Sequence, residues 1–360
     1  MGQVKTWAGL DVHAAKVVAA IADAESGELR VQRLPGQTRR IVEFCAGLAA
    51  PVNVSYEAGP TGFGLARALE AEGISCVVAA PGKIERPAQD RVKTDRRDAE
   101  RLVRLLMIGG LHPVRVPSPH EEALRDLVRA REDVRGDLMR ARHRVGKLLF
   151  RHDQRFDGNN WTTAHRDWLT KLELSDPVAQ LVLLDGTGAI DALLVRREQL
   201  ERQMGAIVPD SPWAQTIGRL RCLRGIDTLS ALGLCAEVGD FERFERPAQL
   251  MSYLGLVPSE NTTGEKRRQG SITKSGSRHA RRLLVEAAWH YRRAPRKGRE
   301  LDRRQAGQPQ HVLAISWKAQ QRLHRTWRRL DHERGKRRTV CAVAVARELA
   351  GFCWAVATAD

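Results

Sequence analysis

The sequence predicts an α/β layer domain of about 110 residues at the N-terminus, followed by a long and mostly helical remainder. Two observations support this prediction. Short apolar runs alternate with amphipathic segments over the first part of the chain, whereas long segments with only helical periodicity follow from His120 onward. Hydrophobic residues make up 42% of the 360 and charged residues 29%, which excludes a chain that is mainly disordered.

The N-terminal domain is predicted to have three strands and then alternating helices and strands. Strands are expected at 4–12, 17–22, 28–34, 52–57 and 74–79, and the intervening helices at 38–48 and 62–72. A further helix, capped by Thr94 or Asp95, is expected to run to about Ile108. Three prolines between 113 and 119 then mark a boundary, so the first domain is assigned to residues 1–115.

A helical middle region is predicted over residues 116–208. Its long charged helices are expected at 120–152 and 185–207, with a turn at 156–160. They would form either a coiled-coil-like arm or an ordinary bundle, and both alternatives remain open because the apolar positions do not keep strict heptads.

The third domain, residues 209–360, is predicted to be mostly α-helical. It opens with a helix, a turn centred on Gly225 and a second helix. Such a helical hairpin either presents backbone N–H groups to a phosphate or is a plain connection between two helices, and both alternatives remain open. Its apolar end, 340–357, is expected to be a packed helix and not a membrane span, because Arg347 and Glu348 interrupt it.

The positive charge of the chain is confined to one segment. Lys and Arg number 60 against 43 Asp and Glu, and residues 264–338 alone hold 23 Lys and Arg against 6 acids, which accounts for the whole excess of 17. A GC-rich gene would explain why 49 of the 60 are Arg, but not why they cluster. Clustered cations release phosphate counterions, so a nucleic-acid partner is expected; no apolar anchor adjoins the segment, which disfavours a membrane.

The cysteines favour a reducing, cytoplasmic setting. Six are present, without a C-x-x-C pair or tight spacing, which argues against a zinc module and against a secreted disulfide framework. The N-terminus has no long apolar run of the kind that begins a signal peptide.

Four carboxylates stand where an α/β sheet would gather them. Asp11 and Glu57 end two predicted strands, and Asp95 and Asp98 share one face of the following helix. Such a cluster suits two divalent cations about 4 Å apart that act on a phosphodiester. Each acid also has a simpler explanation: Asp95 and Asp98 as helix-cap and first-turn residues, Asp11 and Glu57 as turn residues.

Several segments resemble one known family. They are Gly-Leu-Asp-Val at 9–12, Tyr-Glu-Ala-Gly-Pro-Thr-Gly at 56–62, Lys-Thr-Asp-Arg-Arg-Asp-Ala at 93–99, Gly-Leu-Val-Pro-Ser-Glu-Asn-Thr-Thr-Gly at 255–264 and Gly-Ser-Ile-Thr-Lys-Ser-Gly-Ser at 270–277. Together they resemble the DEDD transposases of bacterial insertion sequences, of the one-ten type, which are RNA-guided bridge recombinases. The resemblance covers nearly the whole chain.

The resemblance implies a RuvC-like, RNase H-type fold for the N-terminal domain. It also implies that Asp11, Glu57, Asp95 and Asp98 hold Mg²⁺ or Mn²⁺. In the C-terminal domain the family nucleophile is a Ser immediately before a Gly, and this chain has Thr263 there, a more hindered but known type of nucleophile. Ser259, Thr262 and Ser271 are the alternative nucleophiles.

The implied mechanism is DNA strand exchange through a covalent link between a protein hydroxyl and a DNA phosphate, assisted by the metal. Donor and target DNA, a structured guide RNA and further copies of the chain are the expected partners. Basic residues beside the motifs are expected to bind nucleic acid, namely Lys93, Arg96, Arg97, Lys266, Arg267, Arg268, Lys274, Arg278, Arg281 and Arg282. The alternative functions are a RuvC-like nuclease that uses water and a nucleic-acid-binding protein without catalysis.

Overall fold

A computed structural model describes residues 3–85, 94–261 and 268–359 of the chain. It contains two compact units, Met1–Ser118 and Pro119–Asp360.

The N-terminal unit is a mixed α/β layer structure. In chain order its elements are β1 (Thr6–Val12), β2 (Lys16–Asp23), β3 (Leu29–Pro35), α1 (Thr38–Ala46), β4 (Val52–Glu57), α2 (Gly64–Ala71), β5 (Ser75–Ala79) and α3 (Asp95–Met107). The sheet order is β3-β2-β1-β4-β5; β1, β2 and β3 are antiparallel, while β4 is parallel to both β1 and β5. The predicted positions of these elements are confirmed to within two residues at each end.

Each face of the sheet is covered by helices because the strands alternate in their side-chain direction. Leu10, Val54 and Tyr56 pack with residues of α1 and α2 on one face. Val18 and Ala20 pack with residues of α3 on the other. The second face is the one that carries Asp11, since Asp11 lies opposite Val18 in the register of β1 and β2.

The C-terminal unit is mostly helical. Its elements are α4 (Pro119–Arg151), α5 (Thr163–Lys171), α6 (Pro177–Ile207), α7 (Ala214–Leu220), α8 (Thr228–Val238), α9 (Pro247–Tyr253), β6 (Pro258–Glu260), β7 (Gln269–Ile272), α10 (Arg278–Ala288), α11 (Arg299–Gln305), α12 (Gln310–Arg328) and α13 (Arg338–Ala357). The main core lies among α7–α10, α12 and α13. The predicted helix, turn and helix around Gly225 is confirmed as α7, a turn in which Gly225 has a φ of 86°, and α8.

The long helices α4 and α6 pack along each other and share a small core of their own. Helix α6 begins eight residues earlier than predicted. The carboxylate of Asp176 accepts hydrogen bonds from the backbone N–H groups of Val178 and Ala179, and Pro177 occupies the first turn, where its missing N–H is harmless. The short α5 was not predicted.

Within the described part of the chain, two helices are long and apolar enough to span a membrane by length and composition, Pro177–Asp210 and Arg338–Ala357. The second is α13, and it packs against α9, α10 and α12 in the main core as the sequence predicts. The first contains α6, whose apolar side chains are largely exposed: Leu181 is 66% and Leu184 57% exposed.

Candidate metal centre and nucleic-acid interface

The carboxylates of Asp11 and Glu57 lie at the same edge of the sheet. Strands β1 and β4 are parallel, and their last paired residues are Leu10 and Tyr56, so Asp11 and Glu57 each follow one residue later. The carboxyl ends of neighbouring parallel strands form the edge at which α/β proteins commonly bind ligands. Glu57 is exposed there, and the Asp11 side chain is 20% exposed.

Helix α3 reaches this edge because β1 has a glycine where the helix crosses it. A Cβ atom on Gly9 would lie 2.4 Å from the carbonyl oxygen of Ala99 and 2.5 Å from the backbone nitrogen of Val103, so no larger residue fits. The Thr94 hydroxyl caps the helix by accepting from the N–H of Arg97 at 3.3 Å. Both Asp95 and Asp98 are therefore held in the first turn of a helix packed directly on β1.

Two cationic or ionisable side chains join the acids at this edge. The Lys16 Nζ donates to Asp95 Oδ2 at 2.6 Å. The His13 Nε2 lies 3.3 Å from Asp11 Oδ2 and 3.8 Å from Asp95 Oδ1, so His13 bridges the two carboxylates. Asp98 accepts a hydrogen bond from Arg101 of the same helix, with Nη1 at 2.9 Å from Oδ1.

Ionisation of Asp11 is opposed by its surroundings. Burial raises its pKa, and the nearby carboxylates of Asp95 and Asp98 raise it further, against the lowering effect of His13. The pKa of Asp95, in contrast, is lowered, chiefly by the hydrogen bond from Lys16. Negative charge at Asp11 is thus only partly compensated by the protein itself.

The structure brings Asp11 and Asp95 together with His13, and the Asp98 carboxylate is near enough to help raise the pKa of Asp11. Asp11 interacts with Asp95 and with Asp98, while Glu57 is placed beside Asp11 only by strand register. Sequence reasoning missed His13 and Lys16. The sequence did contain a signal for both residues: they follow Asp11 by only two and five positions. Because a turn of only three residues joins β1 to β2, residues this close in sequence to Asp11 also lie near it at the end of the strand.

The donor set fits a hard divalent cation. Asp11, His13 and Asp95 can each offer one ligand atom, and these three atoms lie within 4.8 Å of one another. Carboxylate oxygens are the ligands that Mg²⁺ and Mn²⁺ prefer, and a cation would relieve the repulsion that raises the pKa of Asp11. The fit therefore rests on charge as well as on spacing.

The predicted nucleophile lies in a part of the chain outside the described residues. Thr262, Thr263, Lys266 and Arg267 belong to residues 262–267, and Lys93 to residues 86–93. The described residues on either side of 262–267 belong to an antiparallel hairpin: Pro258 pairs with Ile272, and the N–H of Asn261 donates to the carbonyl of Arg268 at 2.9 Å.

The two alternative serines belong to this hairpin. Ser259 lies on β6, and its hydroxyl donates to the carbonyl oxygen of Ser271 on β7 at 3.0 Å. The segment that follows β7 is anchored to Gly255, whose carbonyl accepts from the N–H of Lys274 at 3.1 Å. Gly255 has a φ of 64°, and a Cβ atom there would lie 2.3 Å from the carbonyl oxygen of Ser275, so no larger residue fits. Lys274 itself has a φ of 57°, a strained conformation of the kind that clusters at functional sites.

The described basic residues differ in their partners. Arg268, Lys274 and Arg278 are exposed beside the hairpin. Arg281 donates to the carbonyls of Leu254, Ser275 and Gly276, which ties the start of α10 to the hairpin. Two more form ion pairs: Arg282 with Glu132 and Glu286, and Arg96 with Glu100.

A partly buried ionic network lies beside the start of α10. Glu132 of α4 binds Arg282 at 2.6 Å and Arg135 at 2.7 Å. Glu237 of α8 lies 3.4 Å from Arg129 and 3.7 Å from His279 Nδ1. The network joins α4, α8 and α10, so it holds the helix that follows the hairpin in a fixed position.

Burial alone would raise the pKa of Glu237. The interactions with His279, Arg129 and Ser277 outweigh this effect and lower the pKa to about 2. Glu237 is therefore charged at neutral pH, and it contributes to the stability of the helical unit.

Comparison with known proteins relates both units to transposases. The profile of the "Transposase IS116/IS110/IS902 family" matches residues 218–303, and the DEDD_Tnp_IS110 profile, described as "Transposase", matches residues 8–152. The chain is 42% identical over 361 residues to "Putative transposase y4qE" of Sinorhizobium fredii, covering 98% of this chain and 88% of that protein. It is 31% identical over 344 residues to "Transposase for insertion sequence element IS1533" of Leptospira borgpetersenii, covering 92% and 98%.

Proposed function

Because the chain belongs to the IS116/IS110/IS902 family of transposases, enzymes that cut and rejoin DNA, we propose that it exchanges DNA strands through a covalent protein–DNA intermediate at a metal-dependent acidic centre. The observation that carries this proposal is the meeting of Asp11, His13 and Asp95 at the sheet edge that also bears Glu57, with Asp98 in the same helix turn as Asp95. A mixed five-stranded sheet with these acids at its edge also supports a RuvC-like fold for the N-terminal unit.

Asp11, Glu57, Asp95 and Asp98 would hold the cation, with His13 as a further candidate ligand. Mg²⁺ or Mn²⁺ bound there would supply positive charge for a phosphodiester under attack. The protein's own part is to keep Asp11 and Asp95 close despite their repulsion, through the packing of α3 at Gly9 and the cap by Thr94. Lys16 would neutralise Asp95 when no cation is bound.

Thr263 is the proposed nucleophile. Its hydroxyl oxygen would form a bond to the scissile phosphorus as the bond to a deoxyribose oxygen breaks, and that oxygen would leave with a proton. A hydroxyl of the second strand would then reverse the reaction, which releases Thr263 and joins the strands. Arg268, Lys274 and Arg278, together with Lys93, Arg96, Arg97, Lys266, Arg267, Arg281 and Arg282, would bind the flanking phosphates.

A trapping experiment tests the covalent step. The purified protein is incubated with labelled element-end DNA and Mg²⁺ and then denatured, and the labelled adduct is measured for Thr263→Ala and for Thr263→Ser. We expect an adduct with the unchanged protein and with Thr263→Ser, and none with Thr263→Ala. Free DNA ends without an adduct, together with full cleavage by Thr263→Ala, would instead show a RuvC-like nuclease that uses water.

The second arm of this experiment tests whether the protein catalyses anything. Asp11→Asn and Glu57→Gln are compared in a two-plasmid recombination assay, with Glu43→Gln as the matched control. Glu43 is an exposed carboxylate of the same unit that pairs with Arg39, away from the acidic edge. If the first two variants recombine DNA as well as the control does, the proposal fails and a nucleic-acid-binding protein without catalysis remains.

A structured guide RNA is part of the proposal, and it is supported by the cationic C-terminal segment together with the family. Nucleic acid that co-purifies with the protein should be sequenced after nuclease treatment of the lysate. One discrete structured RNA encoded beside the gene is the expected result. Random cellular RNA would contradict the guide while leaving the covalent chemistry untouched.

We further propose that the protein acts as a homo-oligomer, since joining two duplexes requires several strand cuts. The exposed apolar side chains of α6, including Leu181 and Leu184, are the surface that a second copy of the helical arm would cover, as in a coiled coil. Leu181→Glu should lower the molar mass measured by light scattering. The control Gln199→Glu, on an exposed polar position of the same helix, should not.

A further inference from the structure

A cavity of about 390 Å³ in the C-terminal unit is lined by residues of the cationic segment 264–338, and none of its lining residues belongs to β6 or β7. It is bounded by one face of α12, by the end of α11 and by the chain before α11. Its volume is within the roughly 300–1,000 Å³ that small-ligand sites occupy. The lining residues used below are Lys297, Gln305, Gln310, Leu313, Trp317 and Gln320.

The apolar wall of the cavity is an exposed indole. Trp317 is 45% exposed, and it follows Leu313 by one helical turn, so the two side chains form a continuous apolar surface along α12. An indole that is left open beside a cavity provides a flat surface on which a planar ring can stack. Unpaired nucleobases use such surfaces in many nucleic-acid-binding proteins.

The polar wall consists of glutamine amides whose positions are fixed by the fold. Gln320 is 1% exposed, and its Oε1 accepts from the N–H of Arg296 at 3.0 Å, which leaves Nε2 as a donor. Gln305 is 7% exposed, and its Nε2 donates to the carbonyl of Cys222 at 3.1 Å and to Ser316 Oγ at 3.2 Å, which leaves Oε1 as an acceptor. One donor and one acceptor are what the edge of a nucleobase requires.

The rim of the cavity favours a polyanion. The chain that closes it contains five cations within eight residues, at positions 292, 293, 296, 297 and 299. Lys297 at the rim has one acidic partner, Asp302, at 2.6 Å. A neutral planar ligand attached to a phosphate backbone matches both the uncharged interior and the cationic rim.

We propose that this cavity binds one unpaired nucleobase, stacked on Trp317 and held at its edge by the glutamine amides. The inference rests on the proposed function only in that the protein binds nucleic acid; it requires no catalysis. A base that is bulged or flipped out of a helix would enter, whereas a base within a paired helix would not, because its faces are already stacked. RNA and DNA offer the same base chemistry, and the experiment distinguishes them.

The test compares two duplexes that differ only in a single unpaired base, prepared as DNA and as RNA. Affinities for the full-length protein are measured by fluorescence anisotropy at one salt concentration. We expect the bulged duplex to bind about tenfold more tightly than the paired one, as base–aromatic stacking predicts. The nucleic acid that shows the preference identifies the source of the base.

Variants of α12 assign the preference to the cavity. Trp317→Ala should remove the preference for the bulge without changing affinity for the paired duplex, and Trp317→Phe should retain most of it. Lys318→Ala is the matched control: Lys318 is the exposed neighbour of Trp317, and its loss should weaken binding of both duplexes equally. The inference is overturned if Trp317→Ala prefers the bulged duplex as strongly as the unchanged protein does, or if the unchanged protein shows no such preference.

A cross-linking readout keeps this result separate from the proposed catalysis. A 5-iodouracil at the bulged position should cross-link to Trp317, as identified by mass spectrometry, in the Asp11→Asn variant as well as in the unchanged protein. A cross-link confined to other residues would reject the cavity even if the covalent Thr263 adduct forms. If the unchanged protein gives the Trp317 cross-link but forms no covalent adduct, the catalytic proposal alone is rejected.

Discussion

The acidic edge of the sheet and the ionic network of the helical unit place carboxylates in opposite electrostatic conditions. At the sheet edge, Asp11 has a raised pKa because burial and neighbouring acids oppose its ionisation. In the helical unit, Glu237 has a pKa lowered to about 2, although only 8% of its side chain is exposed. The comparison shows that burial by itself does not set the direction of the pKa shift of these acids; the cationic and hydrogen-bonding partners around each one do.

The consequence is a division between a functional and a structural cluster. Glu132 and Glu237 are matched by several basic side chains, so the network adds stability and needs no ligand. At the sheet edge, His13 and Lys16, both more than half exposed, lie beside Asp11 and Asp95, and Arg101 pairs with Asp98. The pKa of Asp11 is nevertheless raised, which indicates a deficit of positive charge that a cation would fill. Such a deficit is typical of a site that binds something.

The largest expected effect comes from removing a charge at the sheet edge. Asp11→Asn should reduce recombination at least 100-fold, since even outer partners of metal ligands contribute 10- to 100-fold. The midpoint of thermal unfolding should stay the same or rise, because the substitution relieves repulsion with Asp95 and Asp98. A variant that loses activity and stability together would show that Asp11 is structural, which would end the contrast with Glu237.

The matching substitution in the helical unit should have the reverse signature. Glu237→Gln should lower the free energy of unfolding by about 1–3 kcal/mol, the amount expected when a hydrogen-bonded group that is mostly buried loses its charged partner. Urea denaturation at pH 7 measures this effect, and the exposed Glu242→Gln of the same unit is the control. A loss below about 0.5 kcal/mol, the size of a surface pair, would contradict the structural role.

The pH dependence of Glu237→Gln sharpens the same contrast. A carboxyl whose pKa is lower in the folded state stabilises the protein fully above its ordinary pKa, and this contribution disappears as the pH falls toward the folded value of about 2. The stability difference between the unchanged protein and Glu237→Gln should therefore be constant from pH 7 to pH 5 and shrink below that. A difference that grows on acidification would show the opposite sign of the shift.

The smallest expected effect is on metal affinity, from removing the Lys16 ammonium group that pairs with Asp95. Lys16→Gln removes the ammonium group from Asp95, so Mn²⁺ should bind about two- to fivefold more tightly in a calorimetric titration, in line with the modest strength of exposed ion pairs. Lys5→Gln is the control, since Lys5 is exposed in the same unit. Weaker binding of Mn²⁺ by Lys16→Gln than by Lys5→Gln would mean that Lys16 supports the metal.

The N-terminal elements were predictable because their signals are local. Alternating apolar residues identify strands such as Val52–Glu57, and the Thr94 cap identifies the start of α3. The predicted start of α6 was wrong because its first two turns are almost wholly apolar, although most of these side chains are exposed. A nearly continuous apolar run shows no helical alternation of apolar and polar residues. The cap at Asp176 and Pro177 was the local signal that marked the correct start.

By itself the sequence determined the order of the elements, the confinement of the cationic excess to residues 264–338 and the family through its acidic motifs. Only the tertiary structure decided which charges meet. The approach of α3 to Gly9 brings Asp95 to Asp11, the hairpin of β1 and β2 adds His13 and Lys16, and the packing of α4, α8 and α10 pairs Glu132 and Glu237 with cations. The reason is physical: the pKa of an acid depends on neighbours distant in the chain, which no local pattern records.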